Sequence, residues 1–344
     1  MSKPAARHPA GSKDAQPLVA RVFSALADGE FHSGEQLAGE LGVSRGAVWK
    51  AVDALRDLGA TLHAVPNRGY RLRSGSDALD ADRIKALLPA TVRGHVRGIE
   101  AAWTVDSTNS VLLARPNPQP GVCEVFLAEY QTAGRGRRGR AWVAPPGGSI
   151  CLSLSWTFRE VPQDVGSLGL AIGVCGLRAL KELGLEKVAL KWPNDILADD
   201  RKLAGILIEL RAESDGPACV IIGIGINVAL GSALLRKIGE MGGAPATDLV
   251  MAGLTQPSRN ALAAALVSQI VPGLLAFEKE GLRPFVEEWR HSDALRGRQI
   301  DVHTQEGVAR GVARGIDLHG ALVVETLQGV RRFISGEVTV RAVA

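Results

Sequence analysis

The chain has few cysteines, no long apolar run and almost no net charge, and each shortage excludes something. Four cysteines (Cys123, Cys151, Cys175 and Cys219) occur in 344 residues, with no CxxC pair. Each lies in an apolar stretch, which predicts buried, reduced thiols rather than a disulfide framework or a zinc site. No run of about 18 apolar residues occurs, so no membrane span is expected. The opening MSKPAARHPAGSKDAQ lacks an apolar core followed by a cleavage site. No secretory leader is therefore expected, and a cytoplasmic chain is. A GxxxxGK[ST] segment is missing, which excludes a P-loop. No internal repeat of about 20–50 residues is apparent. Lys+Arg exceed Asp+Glu by only 40 to 36, a formal charge of +4. That excludes a histone-like polycation and an acidic disordered chain.

What is present is ordinary globular composition, 46% hydrophobic and 22% charged. The length predicts two or three domains of about 100–200 residues each. The small net charge hides clustering. Ser44 to Arg73 holds six Lys/Arg and two Asp, a local +4, and Gly134 to Trp142 holds four Arg and no acid, another +4. The remainder therefore sums to −4, since 4 less 8 is −4. Two basic islands on a slightly acidic body predict two separate anionic ligands.

The first island lies in a unit whose apolar spacing predicts three helices. Leu18, Val22, Phe23 and Leu26 mark the first. Ser33 caps the second, with Gln36 completing a capping box, and Gly42 ends it. Ser44 caps the third, where Val48, Val52 and Leu55 form the inner stripe. ATLHAVPNRGYRLR (Ala60 to Arg73) then reads as two strands around a turn, a wing carrying Arg68, Arg71 and Arg73. Helix, helix, tight turn, helix and basic wing together predict a winged helix-turn-helix. Ser44, Arg45, Trp49, Lys50, Arg68 and Arg71 are its candidate DNA contacts. Such units also serve as protein interaction modules, and that reading stays open.

The second island, GRGRRG (Gly134 to Gly139), matches GxGxxG literally. The dinucleotide-binding reading fails because the sequel RAWVAPPGGS, with its prolines and glycines, cannot open a helix. A Gly/Arg loop between strands suits another task. Glycines let backbone approach a ligand, and arginines offer forked donors to phosphate and carboxylate. An ordered loop over a nucleotide is predicted, with a solvated or RNA-binding RG segment as the other reading.

EYQTAGRGRRGRAW (Glu129 to Trp142), DSTN (Asp106 to Asn109), KWPND (Lys191 to Asp195), RKLAGILIEL (Arg201 to Leu210) and GIGINV (Gly223 to Val228) together resemble the biotin protein ligases. With the winged helix, the chain from about 17 onward resembles the bifunctional type, a ligase that also represses biotin genes. The resemblance implies an ATP-dependent reaction in two steps. Biotin and ATP give biotinyl-5′-AMP, then a lysine of the biotin carboxyl carrier protein of acetyl-CoA carboxylase takes the biotin. It implies Mg2+ with the ATP, operator DNA, a homodimer formed on biotinyl-AMP binding, no membrane partner and no metal held by the protein itself. Two other readings stand beside it: a ligase whose winged helix no longer binds an operator, and a related acyl-ligase or ligand-sensing regulator.

The resemblance also assigns residues. Ser107, Thr108, Asn109, Gln131, Gly134, Arg135, Gly136, Arg137, Lys202 and Gly205 are expected around biotin. Arg137, Arg138, Trp142, Asn194, Lys202 and Asn227 are expected around the nucleotide. Lys202, Arg135, Arg137 and Asp195 carry the chemistry, with Lys202 bridging the biotin carboxylate and the α-phosphate. Asp195 can orient the incoming lysine or accept its proton. Bland readings accompany several of these: helix capping at Ser107 and Thr108, an Asn-Asp turn at Asp195, an Asx turn at Asn227, a core role for Trp142. Cys151 stands where relatives often have an aromatic, which puts one pocket wall in doubt.

The expected fold is α+β and multidomain. Residues 1–16 are read as a disordered tail, 17–73 as the winged helix and 74–97 as linker and short helix. Residues 98–291 are read as a mixed-sheet biotin/lipoate ligase-like catalytic domain with helices on one face. Residues 292–344 are read as a small SH3-like β-barrel. A long helix is expected over Val165 to Leu183, and helices from Ser258 to His291 with a break at Pro272.

Overall fold

The apolar spacing of the first unit is satisfied by three helices wrapped around one small core. In the computed structural model, which describes residues 16–73, 77–160, 162, 164–211, 218–241, 244–304, 307–334 and 339–342, these are α1 (Leu18–Leu26), α2 (Gly34–Leu41) and α3 (Arg45–Asp57). Val22, Phe23, Leu26, Leu37, Val48, Val52 and Leu55 are buried together. Ser33 and Ser44 cap α2 and α3, accepting the Gln36 and Ala47 amides at 3.0 and 3.2 Å. The reciprocal half of the capping box does not form, because the Gln36 amide group donates one turn forward to Glu40. The wing is a hairpin of β1 (Leu62–Val65) and β2 (Gly69–Leu72). Gly69 has φ 96°, and a Cβ there would run into the His32 carbonyl. Arg73 keeps the wing pairing, its N–H donating to the Thr61 carbonyl at 3.1 Å, while its Nη1 packs against Gly231 of the central unit.

The stretch after the wing, read as a linker, is tied down from Asp77 onward before α4 (Ala81–Leu87) and α5 (Ala90–Arg93). A seven-stranded sheet follows, made of β3 (Val96–Val105), β4 (Cys123–Gln131), β5 (Ser149–Thr157), β6 (Val188–Lys191), β7 (Asp195–Ala198), β8 (Arg201–Arg211) and β9 (Cys219–Asn227). Its order is β3-β4-β5-β9-β8-β7-β6. Only β3 and β4 run parallel, with α6 (Thr108–Leu113) in their connection. The remaining pairs are antiparallel.

Alternation along three adjacent strands gives the sheet two unlike faces. Ile150, Leu152, Leu154 and Trp156 of β5, with Ile222, Ile224 and Ile226 of β9, point into the main core. Ser149, Cys151 and Ser153 lie opposite Asn227, Gly225 and Gly223 on the other face. The core face is covered by α7 (Leu168–Glu182), α9 (Arg259–Glu280) and α10 (Val286–His291), while α8 (Ser232–Glu240) packs nearby as a small satellite. The other face carries α6, where Leu112 meets Phe126, Cys219 and Ile221. Helices therefore occupy both faces, not one as expected. Small residues under α6 leave room that large ones would fill.

Pro272 does not break α9, which runs unbroken for 22 residues. The proline is exposed, so the backbone hydrogen bond it removes lies on the solvent side, and burial of Val271 and Leu274 holds the helix together. Helix α9 also has the length and apolar composition that a membrane span would need. Its apolar surface is mostly buried in the core. All four cysteines are buried and unpaired.

The C-terminal unit contains β10 (Gln299–Thr304), β11 (Gly307–Ile316), β12 (Leu322–Thr326), β13 (Gly329–Phe333) and β14 (Thr339–Ala342). They form an antiparallel sheet in the order β13-β12-β11-β10-β14. Its Ile300, Val302, Leu322 and Val324 join the central core, and Trp192 Nε1 donates to the Gly320 carbonyl at 3.1 Å. Residues 1–15, most of the predicted tail, and residues 335–338 of the predicted barrel lie outside the described residues.

Candidate functional site

The small-residue face of the sheet opens into a cavity of about 750 Å³. One end is built by α6. Ser107, Thr108 and Asn109 are each at most 4% exposed, so their polar atoms need partners. The Thr108 amide and hydroxyl both donate to Gln131 Oε1, at 2.8 and 3.2 Å. Asn109 Nδ2 donates to Glu209 Oε2 at 2.6 Å, and Ser153 Oγ donates to Asn109 Oδ1 at 2.5 Å. Gly223 is needed beneath this cluster, because a Cβ there would overlap the Asn109 amide. Ser107 makes no side-chain cap bond, so the capping reading is not realised for its hydroxyl.

The arginine loop crosses the mouth. Gly136 N–H donates to the Arg140 carbonyl at 2.7 Å and Trp142 N–H to the Gly134 carbonyl at 2.9 Å, which closes the loop on itself. Arg138 adopts φ 58° and Gly139 φ 70°, two successive left-handed residues that turn the chain sharply. Arg135 reaches Glu209 at 3.4 Å, so one carboxylate ties the loop to the Asn109 end. Burial holds the Arg137 guanidinium below its ordinary value. Arg138 and Arg140 push the same way, and Asp195 opposes them. Trp142 lies flat across the floor, where side chains at Gly225 or Gly205 would strike its ring. Its Nε1 is buried and meets no acceptor among the described residues.

At the far wall, Lys202 Nζ sits 2.6 Å from Asp195 Oδ1 and 5.7 Å from the Trp142 ring centre. Strand β8 places it there, with Lys202 N–H donating to Pro245 and Thr247 N–H returning to the Lys202 carbonyl. Asn194 Nδ2 donates to the Ile206 carbonyl at 2.7 Å, and Asn227 Nδ2 to Thr247 at 2.9 Å. Both amides are thus already engaged on one side. Asp200 and Arg298, paired at 2.9 Å, bring the C-terminal unit to the rim.

The cavity gathers every residue assigned from sequence to biotin, nucleotide or catalysis except Gly134, which shapes the loop instead. The sequence reading missed Glu209, Ser153, Gly223, Gly225, Arg298 and Asp200. A signal existed for three of them. Glu209 alternates with Gly205 and Leu207 on β8, and Gly223 and Gly225 alternate on β9, so each set shares one face.

A second polar surface lies on the winged unit. Arg45 and Lys50 are exposed on α3 and Trp49 is 55% exposed beside them. Arg68 and Arg71 both lie over the Phe31 ring, at 4.3 and 4.6 Å from its centre. The Ser44 hydroxyl is spent on its cap.

Three family models match successive parts of the chain. Residues 22–71 match a helix-turn-helix domain, 102–227 the biotin/lipoate A/B protein ligase family, and 296–341 the biotin protein ligase C-terminal domain. The chain is 40% identical to the bifunctional ligase/repressor BirA of Salmonella typhimurium, over 93% of this chain and 97% of that one. It is 38% identical to the Escherichia coli protein of the same name, over 94% and 97%. The biotin protein ligase of Aquifex aeolicus, solved with biotin and ATP, superposes with a TM-score of 0.61. That structure shares 26% identity and covers 72% of this chain and 100% of its own.

Proposed function

The chain belongs to the biotin protein ligases of the bifunctional ligase/repressor kind, and from that premise we propose how its residues divide the work. It is a biotin ligase that uses ATP, with a DNA-binding unit at its N-terminus. Residues 17–73 bind operator DNA, 98–291 perform the chemistry and 292–344 close the nucleotide end. The observation that carries the reading is one cavity with two unlike ends. A buried neutral cluster of Ser107, Thr108 and Asn109 faces a cationic end of Lys202 and the loop arginines.

The neutral end suits the biotin ring, whose ureido group matches hydroxyl and amide partners. The cationic end suits the two anions that must meet, the biotin carboxylate and the ATP α-phosphate. In the first step a carboxylate oxygen bonds to the α-phosphorus and the bond to the pyrophosphate oxygen breaks. Lys202, Arg135 and Arg137 offset the repulsion and stabilise the charge on the transferring group. Trp142 offers an aromatic face to the adenine, and Asn194 and Asn227 border the nucleotide.

Asp195 holds Lys202 through a charge-assisted bond. When anions draw Lys202 toward them, Asp195 is released to receive the ammonium of the carrier-protein lysine. In the second step Asp195 takes a proton from that ammonium, the free amine bonds to the mixed anhydride carbonyl carbon, and the bond from that carbon to the phosphate oxygen breaks, giving an amide, AMP and a second proton lost to solvent. Arg137 and Arg138 cover the adenylate and keep water out.

Among the described residues no three His, Cys, Asp or Glu side chains cluster as metal ligands. The two carboxylates lining the cavity near the cations, Asp195 and Asp200, each face a cation. This donor set fits Mg2+ carried in on the ATP phosphates, where it neutralises phosphate charge. Biotinyl-AMP acts also as corepressor by favouring a homodimer that binds operator DNA. Free thiols at all four cysteines support a cytoplasmic chain.

Incubation of the purified chain with ATP and biotin, followed by mass spectrometry, tests the reading. Bound biotinyl-AMP is expected, and its absence would overturn the ligase assignment. Gel shift on the biotin-gene promoter with biotinyl-AMP then separates the repressor from a ligase that has lost its operator.

A further inference from the structure

Arg259, the first residue of α9, is fully buried outside the cavity. A lone guanidinium there would cost several kcal/mol, so its partners matter. Nη1 and Nη2 clasp both oxygens of Glu129, at 2.6 and 2.9 Å, and Nε donates to the Asp77 carbonyl at 2.9 Å. Nη1 also donates to the Ser149 carbonyl of β5. On its other side lies the Phe23 ring of α1, 5.9 Å away, which itself packs on Trp103 of β3 at 5.4 Å. The Asp77 carboxylate accepts the Arg259 amide, Asn260 Nδ2 and Ser258 Oγ, which pins the segment below the winged unit to the start of α9. Glu129 Oε1 also takes the Leu79 amide at 2.7 Å.

This knot reaches the cavity along two strands. Glu129 and Gln131 lie two residues apart on β4, and Gln131 lines the cavity. Cys151 on β5 lines the cavity and lies within reach of the Gln131 side chain and of the Arg259 and Glu129 charges. Nothing in the chemistry of the site requires a buried ion pair here. Pairs of this kind are weak stabilisers, and apolar replacements often match them. A joint between parts explains it better.

We propose that Arg259 is a positioning residue that couples the biotin end of the cavity to the winged unit, through Glu129 and Gln131 on one side and Phe23 and Asp77 on the other. The inference rests on the reading of the Thr108–Gln131 end as the biotin site. Biotin, by fixing Gln131, stiffens the seat of α1, and a loose winged unit weakens the biotin end in return.

The test uses the full chain with Arg259→Lys, Arg259→Met and Asp77→Ala, read by pyrophosphate exchange and by amide hydrogen exchange of α1. In the unaltered chain, saturating biotin is expected to slow exchange in α1 by about 10-fold, a typical coupling. Arg259→Met abolishes that slowing and raises the KM for biotin about 10-fold, with the KM for ATP and kcat nearly unchanged. Arg259→Lys, which keeps the charge but loses the fork, falls between and serves alone if the Met variant fails to fold. Asp77→Ala speeds α1 exchange and raises the KM for biotin less than Arg259→Met does, because the Glu129 pair survives. Two outcomes overturn the proposal. One is a folded Arg259→Lys chain that keeps both the biotin-dependent slowing and the KM. The other is a uniform loss in both KM values, kcat and stability, which marks a merely structural role. An unaltered chain that makes no biotinyl-AMP overturns the functional reading instead.

Discussion

Lys202 and Asp195 meet at 2.6 Å in the cavity, and their fates are expected to separate. Lys202→Met removes a cation at the developing charge, so biotinyl-AMP formation should fall about 10²–10³-fold in a pyrophosphate-exchange assay. A near-normal rate would remove Lys202 from the chemistry. Asp195→Asn should spare that step more than the transfer to a carrier domain, measured by biotin incorporation from preformed biotinyl-AMP. Asp293 lies where the central and C-terminal units meet. Burial pushes it up to about 6 from 3.8, and Oδ2 has no partner among the described residues. The folded chain therefore holds a proton more tightly than the unfolded chain between about pH 4 and 6. Stability falls as pH rises through that window, and the penalty is complete above it. Asp293→Asn should raise the melting temperature at pH 7, by about 1–3 kcal/mol of stability, and leave it unchanged near pH 4. An equal gain at both pH values would contradict this.

At the scale of elements, the arginine loop and its glycine floor form one device. The loop is held by its own main-chain bonds, by Arg135 on Glu209 and by Trp142 on the sheet, so its side chains can change without dissolving it. Arg137→Ala should leave biotin affinity largely intact and speed the dissociation of biotinyl-AMP, followed by release of the preformed intermediate. An unchanged release rate would contradict the role of the loop as a cover. The floor is less tolerant. Gly225→Val places methyl groups inside the Trp142 ring position, so the indole must leave. Its effect should appear as a loss of ATP affinity, by about 10-fold or more, since stacking contributes about 1–3 kcal/mol. The Pro272 result belongs to this scale as well. A proline is expected to stop a helix, yet the cost is bearable where the lost bond faces water and both flanks are buried.

For the whole molecule, the two basic islands occupy different settings. Arg45 and Lys50 stand in solvent on α3, and the wing arginines flank Phe31 at its edge. Phosphate contacts there release counterions, so a dimer using about six to ten of them should lose about 10³-fold or more in operator affinity between 50 and 200 mM salt. Adenylation should change little over the same range, because the loop arginines act on one enclosed nucleotide at short range. A gel-shift series and an exchange assay at matched salt compare the two. Sedimentation with saturating biotinyl-AMP should show a dimer, and a monomer would refute the proposed link between ligand and repression.

Local patterns determined much of this protein. Helix caps at Ser33 and Ser44, the inward stripe of α3, the wing and the strand bearing Lys202 all follow from spacing that neighbouring residues enforce on one another. The candidate site was legible because its motifs supply the charges and hydroxyls directly. The sequence could not say which surfaces would meet. Glu209 became an anchor only when β8 was laid beside α6, and Arg298 reached the rim only when the C-terminal sheet packed on the body. The Arg73 guanidinium met Gly231, and the linker became a knot around Arg259, for the same reason. Those contacts join residues separated by about 100 positions or more, and their energies depend on burial, which no local window contains.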